Sequence, residues 1–432
     1  MAEPQIQIEE PLINPNHTQE EESNNPTLDR VIHRLEAFLF IFGFHQCSFL
    51  TIVLSWAAFL LLGVVIPVLT IELSSCSDCS KVQITNFELF ILASQASLAA
   101  VSLLGVSHNL RKYGVRRFLF VDRFHGQTIR FRKEYVEKIE DFFHVLVWWI
   151  LPCFLLKTAR EIIRLVYVHQ ESWWQTVGIF LALVVSWTYL TTIFLSACSL
   201  FYLVCNLQCI HFEDYGKLLE RDSDAPKLLE EHMLLRHHLS KISHRFRIYL
   251  LVAFLVVTAS QFVTLFHTTG YRGIITFING GDFAVSSIVE VVGIILCLHA
   301  AAKVSHRAQG IASVACRWHA LVTCSSTDPS QLRATNSAGN LEADAPYTIP
   351  VNYSESDLES LDNVALPTNP QFASYMSSYH KRQALVMYLQ SNPGGLSIFG
   401  WTVDRALIST IFFIELSLAL FVLGKTIVFT SK

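Results

Sequence analysis

The chain has 432 residues, of which 52% are hydrophobic and 16% charged, with a formal net charge of −4. Soluble domains carry roughly 25% charged residues, and the shortfall here is patterned, with charges in blocks separated by long stretches almost without them. That distribution argues against a two-domain soluble protein and for an all-α membrane protein whose constant partner is the lipid bilayer.

Residues 1–48 read as an acidic, disordered cytosolic tail leading into a short helix before the first span. The first thirty residues hold Glu3, Glu9, Glu10, Glu20, Glu21, Glu22 and Asp29 against Arg30, with Pro4, Pro11, Pro15 and Pro26. Such composition buries too little apolar surface to fold, and it contains no cleavable signal. Pro11-Leu12-Ile13 behind Glu9 and Glu10 has the form of an acidic dileucine sorting signal. The plasma membrane is the default location, and this signal raises the vacuolar membrane as the alternative.

About 20 apolar residues cross a hydrocarbon core. Seven stretches qualify: Phe49–Ile71, Phe87–Val106, Phe142–Val168, Val177–Leu203, Ile248–Thr268, Phe283–Val304 and Ala406–Phe429. The third is apolar to Leu156 and then meets Lys157, Arg160, Glu161 and Arg164. The fourth is overlong and must tilt or project past the bilayer. Trp173 and Trp174 between spans three and four fit an interfacial aromatic belt. Cys76 and Cys79, a C-x-x-C in a polar loop, are a possible disulfide or redox pair, with too few ligands for zinc.

Lys and Arg set the orientation. They crowd the segments from Arg111 to Lys138, Lys217 to Arg247 and Lys303 to Arg405, while Lys81, Arg272 and Lys432 fall on the other side. Positive loops face the cytosol, so the N-terminus is cytosolic and the C-terminus extracytosolic, the inverse of a G-protein-coupled receptor. The sequons at Asn16 and Asn352 then lie on the cytosolic side and are expected to carry no sugar.

The loop from Arg111 to Asp141 mixes basic residues with phenylalanines, as either an inner-leaflet contact or helical extensions of its spans. Asp224 and Pro226 start a helix on which Leu228, Leu235 and Ile242 recur every seven residues beside His232, Leu239 and Phe246. This stripe predicts a packed cytosolic bundle, within one chain or between subunits. His232, His237 and His238 resemble an imperfect desaturase box, but one box holds no di-iron site. They are expected to be solvated. Residues 305–405 form a long cytosolic loop, disordered over about 325–369. A helix is expected from Phe372 through Gln390, broken at Asn392-Pro393-Gly394-Gly395. No phosphate loop, nucleophile elbow or zinc-protease motif is present. The expectation is a protein that is not an enzyme, with no cofactor, no metal and no nucleic-acid partner.

Ionisable residues inside spans face a partner, a cavity or a pore, because hydrocarbon penalises charge. Lys157, Glu161 and Arg164 share one face of span three, with Arg160 beside them. Glu290 in span six is expected to pair with one of these cations. Together with Gln261, Thr264 and His267 of span five, this set forms either a structural ion pair or the wall of an outer ligand cavity. Span seven, residues 406–432, carries Glu415, Ser417 and Lys425. An acid on a pore helix favours cations, and pairing with a neighbouring helix accounts for it equally well.

One stretch carries a resemblance to a known family. Gly400-Trp401-Thr402-Val403-Asp404-Arg405-Ala406-Leu407-Ile408 resembles the opening of the last span in insect gustatory and odorant receptors. Ser417 and the apolar run Ala419 to Leu423 continue that signature, while Leu418, Gly424 and Lys425 depart from it. The chain as a whole resembles the plant branch of that superfamily, gustatory receptor-like proteins that carry a plant domain of unknown function. The resemblance implies a homotetrameric, ligand-gated cation channel. In such a channel span seven lines a central pore, cytosolic extensions of spans four to seven anchor the tetramer, and an unknown small-molecule ligand sits in an outer pocket. Thr410, Glu415, Ser417 and Val422 are then the pore-lining candidates. The alternative is a non-conducting seven-span receptor or scaffold.

Overall fold

The computed structural model describes residues 26–73, 81–119, 128–167, 173–221, 224–270, 277–325, 378–398, 400–403 and 405–430. Cys76, Cys79, both sequons, the dileucine-like stretch and residues 326–377 lie outside the described residues, as do the side chains of Thr264, His267, Glu415 and Val422.

The described chain is helical apart from one minimal hairpin. The helices are α1 (Pro26–Ile41), α2 (Phe49–Leu60), α3 (Ile66–Leu73), α4 (Lys81–Phe118), α5 (Thr128–Tyr167), α6 (Trp173–Arg221), α7 (Ala225–Gly270), α8 (Phe277–Ser325), α9 (Ser378–Ser391) and α10 (Arg405–Thr430). A π-helical turn, Leu61–Val65, joins α2 to α3 and lets both act as one span. Strands β1 (Ser397–Ile398) and β2 (Trp401–Thr402) pair antiparallel just before α10. Six helical stretches among the described residues are long and apolar enough to cross a membrane: Phe49–Glu72, Glu88–Phe118, Lys133–Leu165, Trp173–Arg221, Ala225–Val263 and Gly281–Thr323. They correspond in order to the first six expected spans. Most exceed them in length, because helices run on without a break into the basic segments.

Local sequence explains the entry to the first span. Gly43, with φ of 77°, closes α1 in a Schellman motif, in which Phe44 N donates to Leu39 O at 2.8 Å and Gly43 N to Phe40 O at 3.0 Å. A Cβ at Gly43 would come within 2.3 Å of Ser55 Oγ, which itself donates to Gly43 O at 2.8 Å. Ser48 then caps α2 in a reciprocal capping box with Thr51.

Helix α6 is the centre of the bundle. It packs against α3, α4, α5, α7 and α8, and from Leu190 to Phe212 every residue but Tyr202 is buried. A helix apolar on all sides belongs inside. The other helices show lipid-type faces instead, with Phe49, Leu50, Trp148, Leu155, Ile248 and Leu255 all exposed. Helix α10 lies against α7 and α8.

At the end of the bundle where α6 gives way to α7, hereafter the lower end, the helices extend into a second packed region. The heptad stripe is buried within one chain: Leu228, His232, Leu235, Leu239, Ile242 and Phe246 are all inside. The expectation of solvated histidines is corrected here. His232 is 2% and His238 0% exposed. His232 holds a core position of the stripe and His238 directly precedes its Leu239, while His237 is half-buried. No group of His, Cys, Asp or Glu among the described residues is arranged to hold a metal. The His232 ring lies between Tyr215 of α6 and Tyr388 of α9, with centroids 5.7 Å from each. Burial, with Arg236 adding to it, pushes the His232 imidazole down to about 4. His211 lies 2.6 Å from Tyr135 Oη, and burial pushes its imidazole down to about 4 as well. Both rings are therefore neutral in the folded chain at neutral pH.

The expected helix and its break also appear. Helix α9 ends at Ser391, and the Asn392–Gly395 stretch turns the chain back onto α7 and α8. Arg236 donates to Asn392 Oδ1 at 2.5 Å, Leu396 N to Ser305 Oγ at 3.0 Å and Ser397 N to Ser243 Oγ at 2.9 Å. These bonds fix the approach to α10.

Candidate functional site

At the opposite, upper end, α5 presents Lys157, Arg160, Glu161 and Arg164 toward its neighbours. Spacings of three, four and seven residues put them along one helical face. The first three are at most 7% exposed. Taking such charges out of water costs several kcal/mol each, so they persist only when paired. The pairing is close and comes from three helices. Lys157 Nζ bonds Asp282 Oδ1 of α8 and lies 3.0 Å from Glu161 Oε1. Arg160 Nη1 meets Glu161 Oε1 at 2.5 Å, and its Nη2 meets Glu88 Oε1 of α4 at 3.1 Å. Arg164 Nη2 meets the other oxygen of the same carboxylate, Glu88 Oε2, at 3.2 Å. Among the described residues, three cations thus face three carboxylates, and these six charges balance. On the α6 side, Lys157 Nζ lies 5.8 Å from the centre of the Trp187 ring, within cation–π range.

These residues line a cavity with Pro67, Ile71, Ile91, Leu92, Gln95, Leu183, Ser186 and Trp187. Its volume is about 30 Å³, room for water-sized species. Drug-sized ligands occupy roughly 300–1,000 Å³, so a larger ligand requires the helices to part.

A second polar layer lies deeper between α4, α7 and α8. Gln95 Nε2 donates to Ser286 Oγ at 2.7 Å, and Ser286 Oγ to Asp282 O at 2.9 Å. Ser94 Oγ lies 2.7 Å from Ser260 Oγ and 3.2 Å from Glu290 Oε1. Gln261 is fully buried, and neither end of its amide has a hydrogen-bond partner among the described residues.

The structure thus brings the four α5 residues together as one cluster. It sets Glu290 elsewhere: the acid of α8 that meets Lys157 is Asp282, and Glu290 lies two turns away against Ser94. The physical reason is depth. Eight residues of helix are about 12 Å, and the α5 cations sit level with the start of α8. Sequence reasoning missed Glu88 and the role of Asp282. The rule that singled out Glu290, an ionisable residue in an apolar helix, applies equally to Glu88.

On α10, Thr410 and Ser417 are exposed, as are Ala406, Ser409, Phe413, Ile414, Leu420, Phe421 and Gly424. Their spacing is that of one helical stripe. Glu415 follows Thr410 by five residues, which turns it roughly 140° around the helix; Val422 follows Glu415 by seven. The four pore candidates therefore divide between two faces, Thr410 with Ser417 and Glu415 with Val422.

The fold is similar to that of the insect olfactory receptor OR5 from Machilis hrabei in complex with eugenol. The TM-score is 0.53 at 14% identity, over 92% of this chain and 98% of that one. A second structure of the same receptor gives a TM-score of 0.53 at 12% identity, over 94% and 98%. At such identity the likeness is one of fold. Six helices long and apolar enough to cross a membrane, in a fold shared with this receptor, mark a multi-pass integral membrane protein. No protein of curated function matches. The family model described as protein of unknown function (DUF3537) matches residues 30–414, nearly the whole chain. The chain belongs to the DUF3537 family.

Proposed function

We propose that this protein is a ligand-gated cation channel of the plant gustatory receptor-like kind, assembled as a homotetramer. Its N-terminus is cytosolic, and its seventh span, α10, lines a shared pore. An outer cavity at the α5 ion cluster receives a small molecule. The observation that carries this reading is α10 itself. Its 26 residues reach about 39 Å as a helix, enough to cross a bilayer. It rests on α7 and α8 along one side and leaves the stripe through Thr410 and Ser417 open in the single chain. Around a fourfold axis such stripes close into a lumen. The likeness to a receptor solved with eugenol supports a ligand-binding role, and the excess of Lys and Arg at the lower end supports the orientation. The plasma membrane remains the proposed site, with the vacuolar membrane as the alternative.

The native mass of the detergent-purified protein comes first. A tetramer of the 48.9 kDa chain is expected, and a stable monomer in mild detergents removes the pore. Currents in planar bilayers come next. Glu415→Gln and Ser417→Val sit on different faces of α10, so whichever lowers the cation current by about tenfold identifies the lumen side. A second reading, a non-conducting receptor or scaffold, is favoured by Lys425, a cation in the same helix. Ligand binding by a tetramer that passes no current would decide for it.

A further inference from the structure

The arrangement around Glu88 has the form of an occupied binding site. Arg160 Nη2 and Arg164 Nη2 each take one oxygen of the Glu88 carboxylate, at 3.1 and 3.2 Å. Two guanidinium groups gripping the two oxygens of one planar acid is the geometry by which proteins recognise carboxylates. Here the acid comes from the chain's own α4. The same cavity is lined by Ser186 and Trp187, 2% and 5% exposed. Neither Ser186 Oγ nor Trp187 Nε1 has a hydrogen-bond partner among the described residues. Trp187 Nε1–H is a donor only, and a buried donor left unmade costs about 1–3 kcal/mol. The cavity therefore has donors to spare and an internal acid at its strongest site.

We propose that the Arg160–Arg164 pair is a carboxylate clamp held shut by Glu88, and that the ligand of this cavity is a small molecule bearing a carboxylate. The assignment rests on the reading of the cavity as the ligand site and names the ligand's chemical class. An incoming carboxylate takes the place of Glu88 between the two arginines and accepts from Ser186 Oγ–H and Trp187 Nε1–H. Among the described residues, three negative charges still face the three cations once Glu88 has left. Glu88 is released with α4, and the tie between α4 and α5 is lost. Arg164, with 14% of its side chain exposed against 7% for Arg160, is the side from which a ligand enters. A cavity of about 30 Å³ then belongs to the shut form, and binding selects a form in which α4 and α5 have moved apart.

The test uses the full chain in lipid nanodiscs, with benzoate as probe and benzamide as its uncharged counterpart of the same shape. Binding is read by equilibrium titration and by the shift of the thermal midpoint. Benzoate is expected to bind and stabilise while benzamide does not. Glu88→Gln, which removes the internal competitor, should tighten benzoate by about tenfold, and Arg164→Gln should abolish it. Equal binding of benzoate and benzamide, or no gain in Glu88→Gln, overturns the assignment. If Glu88→Gln does not fold, the benzoate–benzamide difference in the unmodified chain and its loss in Arg164→Gln decide. Currents evoked by a neutral compound in a chain that ignores benzoate would sink the carboxylate assignment and leave the channel standing. Arginine-dependent benzoate binding without current would do the reverse.

Discussion

The two ends of the bundle bury polar groups by opposite means. At the upper end, Lys157, Arg160 and Arg164 keep their charges and are answered by Glu88, Glu161 and Asp282 across three helices. At the lower end, His232 and His211 give up their charge and pack as neutral rings among tyrosines and leucines. Charged pairs are directional and fail badly when one partner leaves, whereas neutral rings are held by contact and are sensitive to protons. The upper end is thus held by charges that answer one another, and the lower end keeps its shape while the surrounding pH stays near neutral.

The largest effect expected from breaking this contrast is at Asp282. Asp282→Ala leaves Lys157 short of its α8 partner and should cost about 3–5 kcal/mol in unfolding experiments. The double variant Lys157→Met with Asp282→Leu should recover most of that loss, since apolar replacement of a whole pair is often neutral. If single and double variants are equally unstable, packing rather than charge holds the upper end.

The next effect belongs to pH. The folded chain holds His211 and His232 near 4, against 6.5 for the free side chain. The unfolded chain then binds more protons between those values. Stability is full above about 6.5 and falls as pH drops toward 4, by something on the order of 3 kcal/mol for each ring. Thermal midpoints of the detergent-purified chain measured from pH 7.5 to 4.5 should show this slope, and His232→Leu should flatten it. An unchanged slope in that variant would mean that His232 is not shielded from protons.

The smallest effect sharpens the picture of the lower end. Ser305→Ala removes the acceptor of Leu396 N and should cost about 1 kcal/mol. A loss well under that, seen by equilibrium unfolding, would mean that the segment leading into α10 is held by its apolar contacts alone.

Much of this arrangement can be read from residue order. Hydropathy finds the six spans because hydrocarbon imposes a length and a composition, and the Leu228–Leu235–Ile242 stripe finds the lower bundle because periodicity survives translation into packing. His232 looks solvated in the sequence because polarity is a local property, while its burial depends on what Tyr215 and Tyr388 bring from distant parts of the chain. Glu88 escaped notice as a partner for the same reason. Its meeting with Arg160 depends on the relative depth of two helices, which no single segment encodes. Counting at 100° per residue separates the Thr410–Ser417 and Glu415–Val422 faces, and the structure adds that Thr410 and Ser417 are left open.

The burial of α6 from Leu190 to Phe212 has a consequence for motion. A stretch of helix closed in on nearly every side has little free surface along which to slide or turn, because packed interiors shift between discrete arrangements rather than deforming smoothly. Helix α6 is therefore the stator of this molecule, and any opening must come from helices with a loose side, α4 and α5 at one end and α10 at the other. Its backbone amides from Leu190 to Phe212 should be the last in the chain to exchange with deuterated water.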